Sequence, residues 1–181
     1  MVSIIAGNKR ASCPAPLSSN VIRPPDMPSD NNKRLQQVLA STLKGCGFRK
    51  DGATWRKRYA ESIGVINLQG SQWGPSFYVN VGIYFTGIGE NDKPLEYQCH
   101  VRARLDGLVR DRNRLAQLLD FERPIADADR AAELEAVVLE NAVPWLESVS
   151  TREGAREFCA SHDWKLVTGD ARKYLALVPS V

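Results

Sequence analysis

Leu35, Val38, Leu39 and Leu43 recur at spacings of three and four, which places them on one face of a helix. Ser29, Asp30 and Asn31, just before them, are residue types that cap helix N-termini. Gly45-Cys46-Gly47 ends the pattern with a stop signal. The segment "FRKDGATWRKRY" then reads as a hairpin, with Asp51-Gly52 as the turn dipeptide and Trp55 and Tyr59 on the returning strand. The clearest pattern follows. Phe77, Val79, Val81, Ile83 and Phe85 alternate strictly with Tyr78, Asn80, Gly82 and Tyr84, so one set faces a core. The strand before it offers Ile66 and Leu68 to that core, with Val65, Asn67, Gln69 and Ser71 opposite, and Gly74-Pro75 marks the connection. A loop with Gly87, Gly89, Asn91, Asp92 and Pro94 leads to "YQCHVRARL". There Cys99, Val101, Ala103 and Leu105 alternate with His100, Arg102 and Arg104.

The remainder is helical. "LAQLLDF" is a short turn of helix, and Asp127 or Asp129 caps "RAAELEAVVLENAV", with Leu134, Val137, Val138 and Asn141 inward. Pro144 breaks or kinks that helix and starts "PWLESVS"; Thr151 caps "REGAREFCASH" and Asp170 caps "ARKYLALV". A helix, four strands joined by short turns and then helices predict an α+β fold, with an antiparallel meander sheet and its helices segregated to one side. Residues 1–28, rich in Pro, Ser, Ala and Asn, read as a disordered tail, and 29–181 as one domain. Met27, immediately before the folded pattern, is a candidate translation start.

Composition excludes several classes. No apolar run approaches the ~20 residues that span a bilayer. The N-terminal apolar run is four residues without a basic region ahead of it, which is no secretory signal. Cys13, Cys46, Cys99 and Cys159 are too far apart for a zinc-type motif and read as buried thiols in a reducing cytoplasm. The net charge of +3 conceals an asymmetry. Residues 33–112 hold thirteen Lys/Arg and seven Asp/Glu, whereas residues 113–181 hold eight and twelve. Halves of opposite sign attract each other within a fold, or steer an acidic partner to the basic half.

Three segments, "LKGCGFRKDGATWRKR", "VINLQGSQWGPSFYVNVGIYF" and "PWLE", together resemble a family of small bacterial proteins catalogued as domain of unknown function 4304. The matching residues are Gly47-Phe48-Arg49, Trp55-Arg56-Lys57, Asn67-Gln69-Ser71 and Phe77-Val79-Asn80-Gly82, within roughly residues 33–150. The resemblance supports the fold and implies no activity.

Catalytic signatures are missing from the pattern. Ser71, His100 and an aspartate make a conceivable triad, but Ser71 has no G-x-S-x-G elbow. "GIGEND" lacks the third glycine and the following helix of a dinucleotide fingerprint. No metal or cofactor is expected. Attention falls instead on the second face of the sheet, where alternation gathers Asn67, Gln69, Ser71, Tyr78, Asn80, Tyr84, His100, Arg102 and Arg104, with Trp73 on the adjoining loop. Tyr, Trp and Arg are the types enriched at binding hot spots. The expected function is a cytoplasmic, non-catalytic protein-interaction module, one that neutralises or adapts a partner protein. The alternative is single-stranded nucleic-acid binding, with Arg56, Arg58, Arg102 and Arg104 beside Tyr78 and Tyr84. An enzyme without recognisable motif ranks third. Two structural readings compete with recognition: a solvated face stabilised by cross-strand pairs, or one covered by a C-terminal helix.

Overall fold

The computed structural model describes residues 30–161 and 167–177. The tail assigned to residues 1–28, with Cys13 and Met27, lies outside the described residues, as do the cap at Ser29 and His162.

Helix α1 (Asp30–Gly45) buries Leu35, Leu39 and Leu43, as the spacing predicts. Its end is a Schellman motif: Phe48 N–H donates to the Leu43 carbonyl and Gly47 N–H to that of Lys44. Gly47 takes φ +83°, the left-handed conformation this cap requires. The cap turns the chain directly into β1 (Arg49–Asp51) and β2 (Thr54–Arg58). Asp51 pairs with Thr54, so the two-residue loop is Gly52-Ala53, one position later than the sequence suggested, with Gly52 at φ +62°. Strands β3 (Ser62–Gly70), β4 (Phe77–Phe85) and β5 (Val101–Arg104) complete an antiparallel sheet in the order β1-β2-β3-β4-β5. The sheet thus has five strands rather than four. The extra one, Arg-Lys-Asp, carries no apolar residue and leaves no alternation to detect. The last strand also begins later than "YQC": Glu96–Gln98 is a 3₁₀ turn, and pairing starts at Val101.

Trp55, Ile66, Leu68, Val81, Ile83, Phe85 and Val101 meet the helices in one core. All five alternating residues of β4 are buried within it. Their burial contributes on the order of 10 kcal/mol, at ~1.5–3 kcal/mol per side chain. Residues of α2 (Arg112–Leu118), α3 (Asp127–Val137), α4 (Val143–Ser148), α5 (Arg152–Ser161) and α6 (Gly169–Tyr174) pack on the same side. Cap assignments from sequence hold in part. Thr151 Oγ1 accepts from Gly154 N–H at 3.1 Å. Helix α6 is capped by Thr168, whose hydroxyl accepts from Ala171 N–H, not by Asp170, which sits in the first turn. Asp127 and Asp129 likewise lie in the first turn of α3, where their charge complements the helix dipole, and Ala126 holds the cap position. Pro144 does not stop the chain. A π turn at Val138–Ala142 absorbs it, with Val143 N–H reaching back to the Val138 carbonyl. The proline therefore falls at the start of α4.

Arg130 on α3 is 4% exposed and ties the helical layer together. Its Nη1 donates to the carbonyls of Gln117 and Asp120, both at 3.2 Å, and to that of Leu118; Nη2 donates to the carbonyl of Arg123 at 3.0 Å. The guanidinium also lies 4.3 Å from the Phe121 ring centre. A cation thus satisfies the carbonyl end of α2, where the helix dipole is negative. Arg130→Leu leaves that carbonyl cluster without its donor. We expect it to cost about 3 kcal/mol in urea unfolding. Arg110→Ala, at an exposed position, should stay within about 0.5 kcal/mol.

Candidate functional site

The strand register arranges the second face in cross-strand rows. One row runs Arg56, Val65, Gly82, Arg102; the next runs Thr54, Asn67, Asn80, Arg104; Gln69 and Tyr78 follow as a pair. Among the described residues no α-helix covers this face. The connection from Thr86 to His100 does, and only over part of it. Gly82 makes this possible, because a Cβ there would lie 2.7 Å from Cys99 Cβ and 3.0 Å from its sulfur. Ile63, Val65, Tyr84 and Cys99 form a second, small apolar cluster beneath the connection. Arg56 Nε donates to the Pro94 carbonyl at 2.8 Å, Arg58 pairs with Asp92, and the Tyr84 hydroxyl accepts from Asn91 N–H at 3.3 Å. Burial pushes the Cys99 thiol far up from its ordinary pKa, against the opposing pull of Arg102 and Arg56.

Three candidates are off the open surface: Tyr84 and His100, 7% and 8% exposed at the connection, and Asn80, 6% exposed between its strand neighbours Asn67 and Arg104. Cys99, expected to point into the main core with Val101, lies on the opposite side. For Cys99 the cause is local. Alternation was extended backward from Val101 through residues that form a turn, where period two does not hold. His100 stacks on Tyr84 with ring centres 4.4 Å apart, and its Nδ1 accepts from Phe85 N–H at 2.9 Å. Its own backbone carbonyl accepts from Thr168 N–H at 3.0 Å. Ser71 sits at the far end of β4 from His100, some 25 Å away at ~3.3 Å per strand residue, so the two cannot act as a catalytic pair.

The uncovered half keeps the remaining candidates together. Asn67 Nδ2 donates to Thr54 Oγ1 at 3.0 Å, and Asn80 Nδ2 to Gln69 Oε1 at 2.9 Å. The Arg104 guanidinium stacks 4.4 Å from the Tyr78 ring centre. Arg102 is half-buried and its Nε has no hydrogen-bond partner among the described residues. Beyond the Gln69–Tyr78 pair lies the β3–β4 loop, closed by Ser71 N–H on the Ser76 carbonyl. Ser71 Oγ accepts from Trp73 N–H at 3.1 Å, a turn-holding role, and the Trp73 side chain is 94% exposed. Tyr97 and Leu95, on the covering connection, are also exposed.

A second feature escaped sequence reading. Between the β1–β2 hairpin and the covering connection runs a groove of about 780 Å³, lined by Arg49, Lys50, Arg56, Arg58 and Lys93 with Asp51 and Asp92. The density of charge in "FRKDGATWRKRY" was its one signal. Among the described residues, no group of three or more His, Cys, Asp or Glu is placed to hold a metal, and no helix is long and apolar enough to cross a membrane.

Burial lowers the pKa of His100 below its ordinary 6.5, with Asp170 opposing. An Nδ1 that accepts a backbone hydrogen bond leaves the neutral ring's proton on Nε2. The unfolded chain therefore takes up a proton that the folded chain refuses. The contribution of His100 to stability is complete above pH 6.5 and declines as pH falls through the window below it. Melting temperature recorded from about pH 8 to pH 5 should fall on the acid side in the wild type. His100→Asn, which retains an acceptor, should flatten that slope; equal slopes in both proteins would mean that His100 is not held neutral.

No curated protein and no solved structure matches the chain. The sequence model of the family described as Domain of unknown function (DUF4304) matches residues 39–148. That span holds α1 from its third turn, the whole sheet, the covering connection and the π turn, and ends with α4. The cap Gly47-Phe48, the pairs Asn67–Asn80 and Gln69–Tyr78, and the glycine beneath Cys99 all fall inside it. With its fold-defining core inside the match, the chain belongs to the DUF4304 family.

Proposed function

We propose that this chain is a cytoplasmic, non-catalytic protein-interaction module that engages its partner through the uncovered half of the second sheet face. One observation carries the reading: Trp73 stands 94% exposed at the hairpin tip, in line with the Gln69–Tyr78 pair and the Arg104–Tyr78 stack. An indole held in water has apolar surface to bury on a partner, and Trp, Tyr and Arg are the types that dominate interface energetics. The side chains beside it are fixed in place by the Asn67–Thr54 and Asn80–Gln69 hydrogen bonds, which lowers the ordering cost of association. A role in neutralising or adapting that partner fits a surface of this kind.

Single-stranded nucleic acid is the second reading, favoured by Arg102 and Arg104 beside Tyr78. The covering connection weakens it, since Arg56 and Arg58 lie beyond that connection and are paired with Asp51 and Asp92. Quantitative affinity capture with the wild type and with Trp73→Ala plus Arg104→Ala separates the readings. A protein retained by the wild type, lost from the variant and insensitive to nuclease is the expected result. Both substitutions lie at exposed positions and should shift unfolding free energy by no more than about 1 kcal/mol. Fluorescence anisotropy should show no oligonucleotide binding tighter than ~10 μM at physiological salt. Sub-micromolar binding lost in Arg104→Ala would reverse the order of the two.

A further inference from the structure

We propose that the groove between the β1–β2 hairpin and the connection Thr86–His100 binds a small ligand carrying several phosphoryl groups. It is separate from the interaction surface around Trp73. Its volume, about 780 Å³, lies in the range of small-molecule sites, ~300–1,000 Å³, and exceeds what one phosphoryl group fills.

The lining is unbalanced, with five cations against two carboxylates. The arginines are also pre-arranged. The Arg56 side chain is 12% exposed and held from two directions, by the Pro94 carbonyl on Nε and by Asp51 on Nη1 at 3.0 Å. A guanidinium has five N–H donors in a fixed fork, so Arg56 keeps donors beyond those two bonds. Such a fork matches phosphate oxygens in pairs. The carboxylates sit on the solvent side: Asp92 on Arg58 is 84% exposed and Asp51 is 64% exposed. An incoming anion of higher charge can displace them without unfolding anything.

Within the groove, Arg58–Asp92 and Arg56–Pro94 tie the connection to the sheet. Arg49 and Lys93 are surplus to that task. They line the same groove from its two walls and take part in no ion pair among the described residues. Charges of like sign set around one concavity attract a multivalent anion into it. A strand polymer fits less well. Cys99 lies over Gly82, between Arg56 and Arg102 in the same row, and so separates the groove from the cations on the far side. A compact oligophosphate needs no such continuity.

Calorimetric titration of inorganic tripolyphosphate into the full chain tests this, with folding of each variant checked by circular dichroism. Saturable one-to-one binding is expected. Arg49→Gln with Lys93→Gln should weaken it by about tenfold or more. Asp92→Asn, which removes a competing carboxylate, should strengthen it several-fold. Arg110→Gln with Arg112→Gln, the same charge removed outside the groove, should leave it unchanged, as should Trp73→Ala, so this reading and the interaction reading fail separately. The proposal is overturned by no saturable binding, by equal loss in the Arg110/Arg112 variant, or by unaltered binding in the Arg49/Lys93 variant. It is equally overturned if a single-stranded oligonucleotide or an acidic peptide displaces tripolyphosphate at lower concentration than tripolyphosphate itself requires.

Discussion

Register between β3 and β4 is locked from one side. Ile66 lies opposite Val81 and Leu68 opposite Val79, and all four are sealed beneath the helices. A slip of one residue would bring Asn80 and Tyr78 into that core and expose Val79, Val81 and Ile83 to water. Everything on the second face inherits its position from this pairing. Asn67 meets Asn80, Gln69 meets Tyr78 and Gly82 falls under Cys99 because the core face leaves no other alignment. A polar surface that appears specified by its own hydrogen bonds is thus held in place from behind.

Much of this was legible in the chain because periodic burial writes periodic sequence. The five apolar positions of β4 and the i, i+4, i+8 leucines of α1 could be read directly. The Gly45-Cys46-Gly47 stop could be read as well, since a left-handed cap needs glycine. The helices segregate to one face as expected. The family resemblance, carried by the same short motifs, coincides with a match over residues 39–148.

Features held by single contacts left no period behind. The covering connection is seated by one glycine and one cysteine seventeen residues apart, and neither stands out from its neighbours. Tyr84 and His100 are buried at this connection and Asn80 between its strand neighbours, whereas Gln69, Tyr78, Trp73 and Arg104 stay accessible. Strand β1, implied only as the outgoing arm of a hairpin, was not counted because an edge strand of charged residues offers no hydrophobic contrast, and with it went the groove wall that holds Arg49. Arg130 was invisible for the opposite reason. A charged residue on a helix reads as solvated until the carbonyl end of another helix is found around it.

The seating of Cys99 on Gly82 also makes the thiol a reporter. At 0% exposure it is closed to reagents in bulk solvent, and its sulfur leans on the Leu95 carbonyl of the connection itself. The reagent reaches it only when the connection lifts from the sheet, so its alkylation rate measures how often the lift occurs. Cys46, half-buried at the end of α1, reacts without that step and supplies an internal clock. Any ligand that bridges the connection to the β1–β2 hairpin slows the first rate and spares the second. The molecule thereby carries, in two of its own side chains, a differential readout of whether its cover is open.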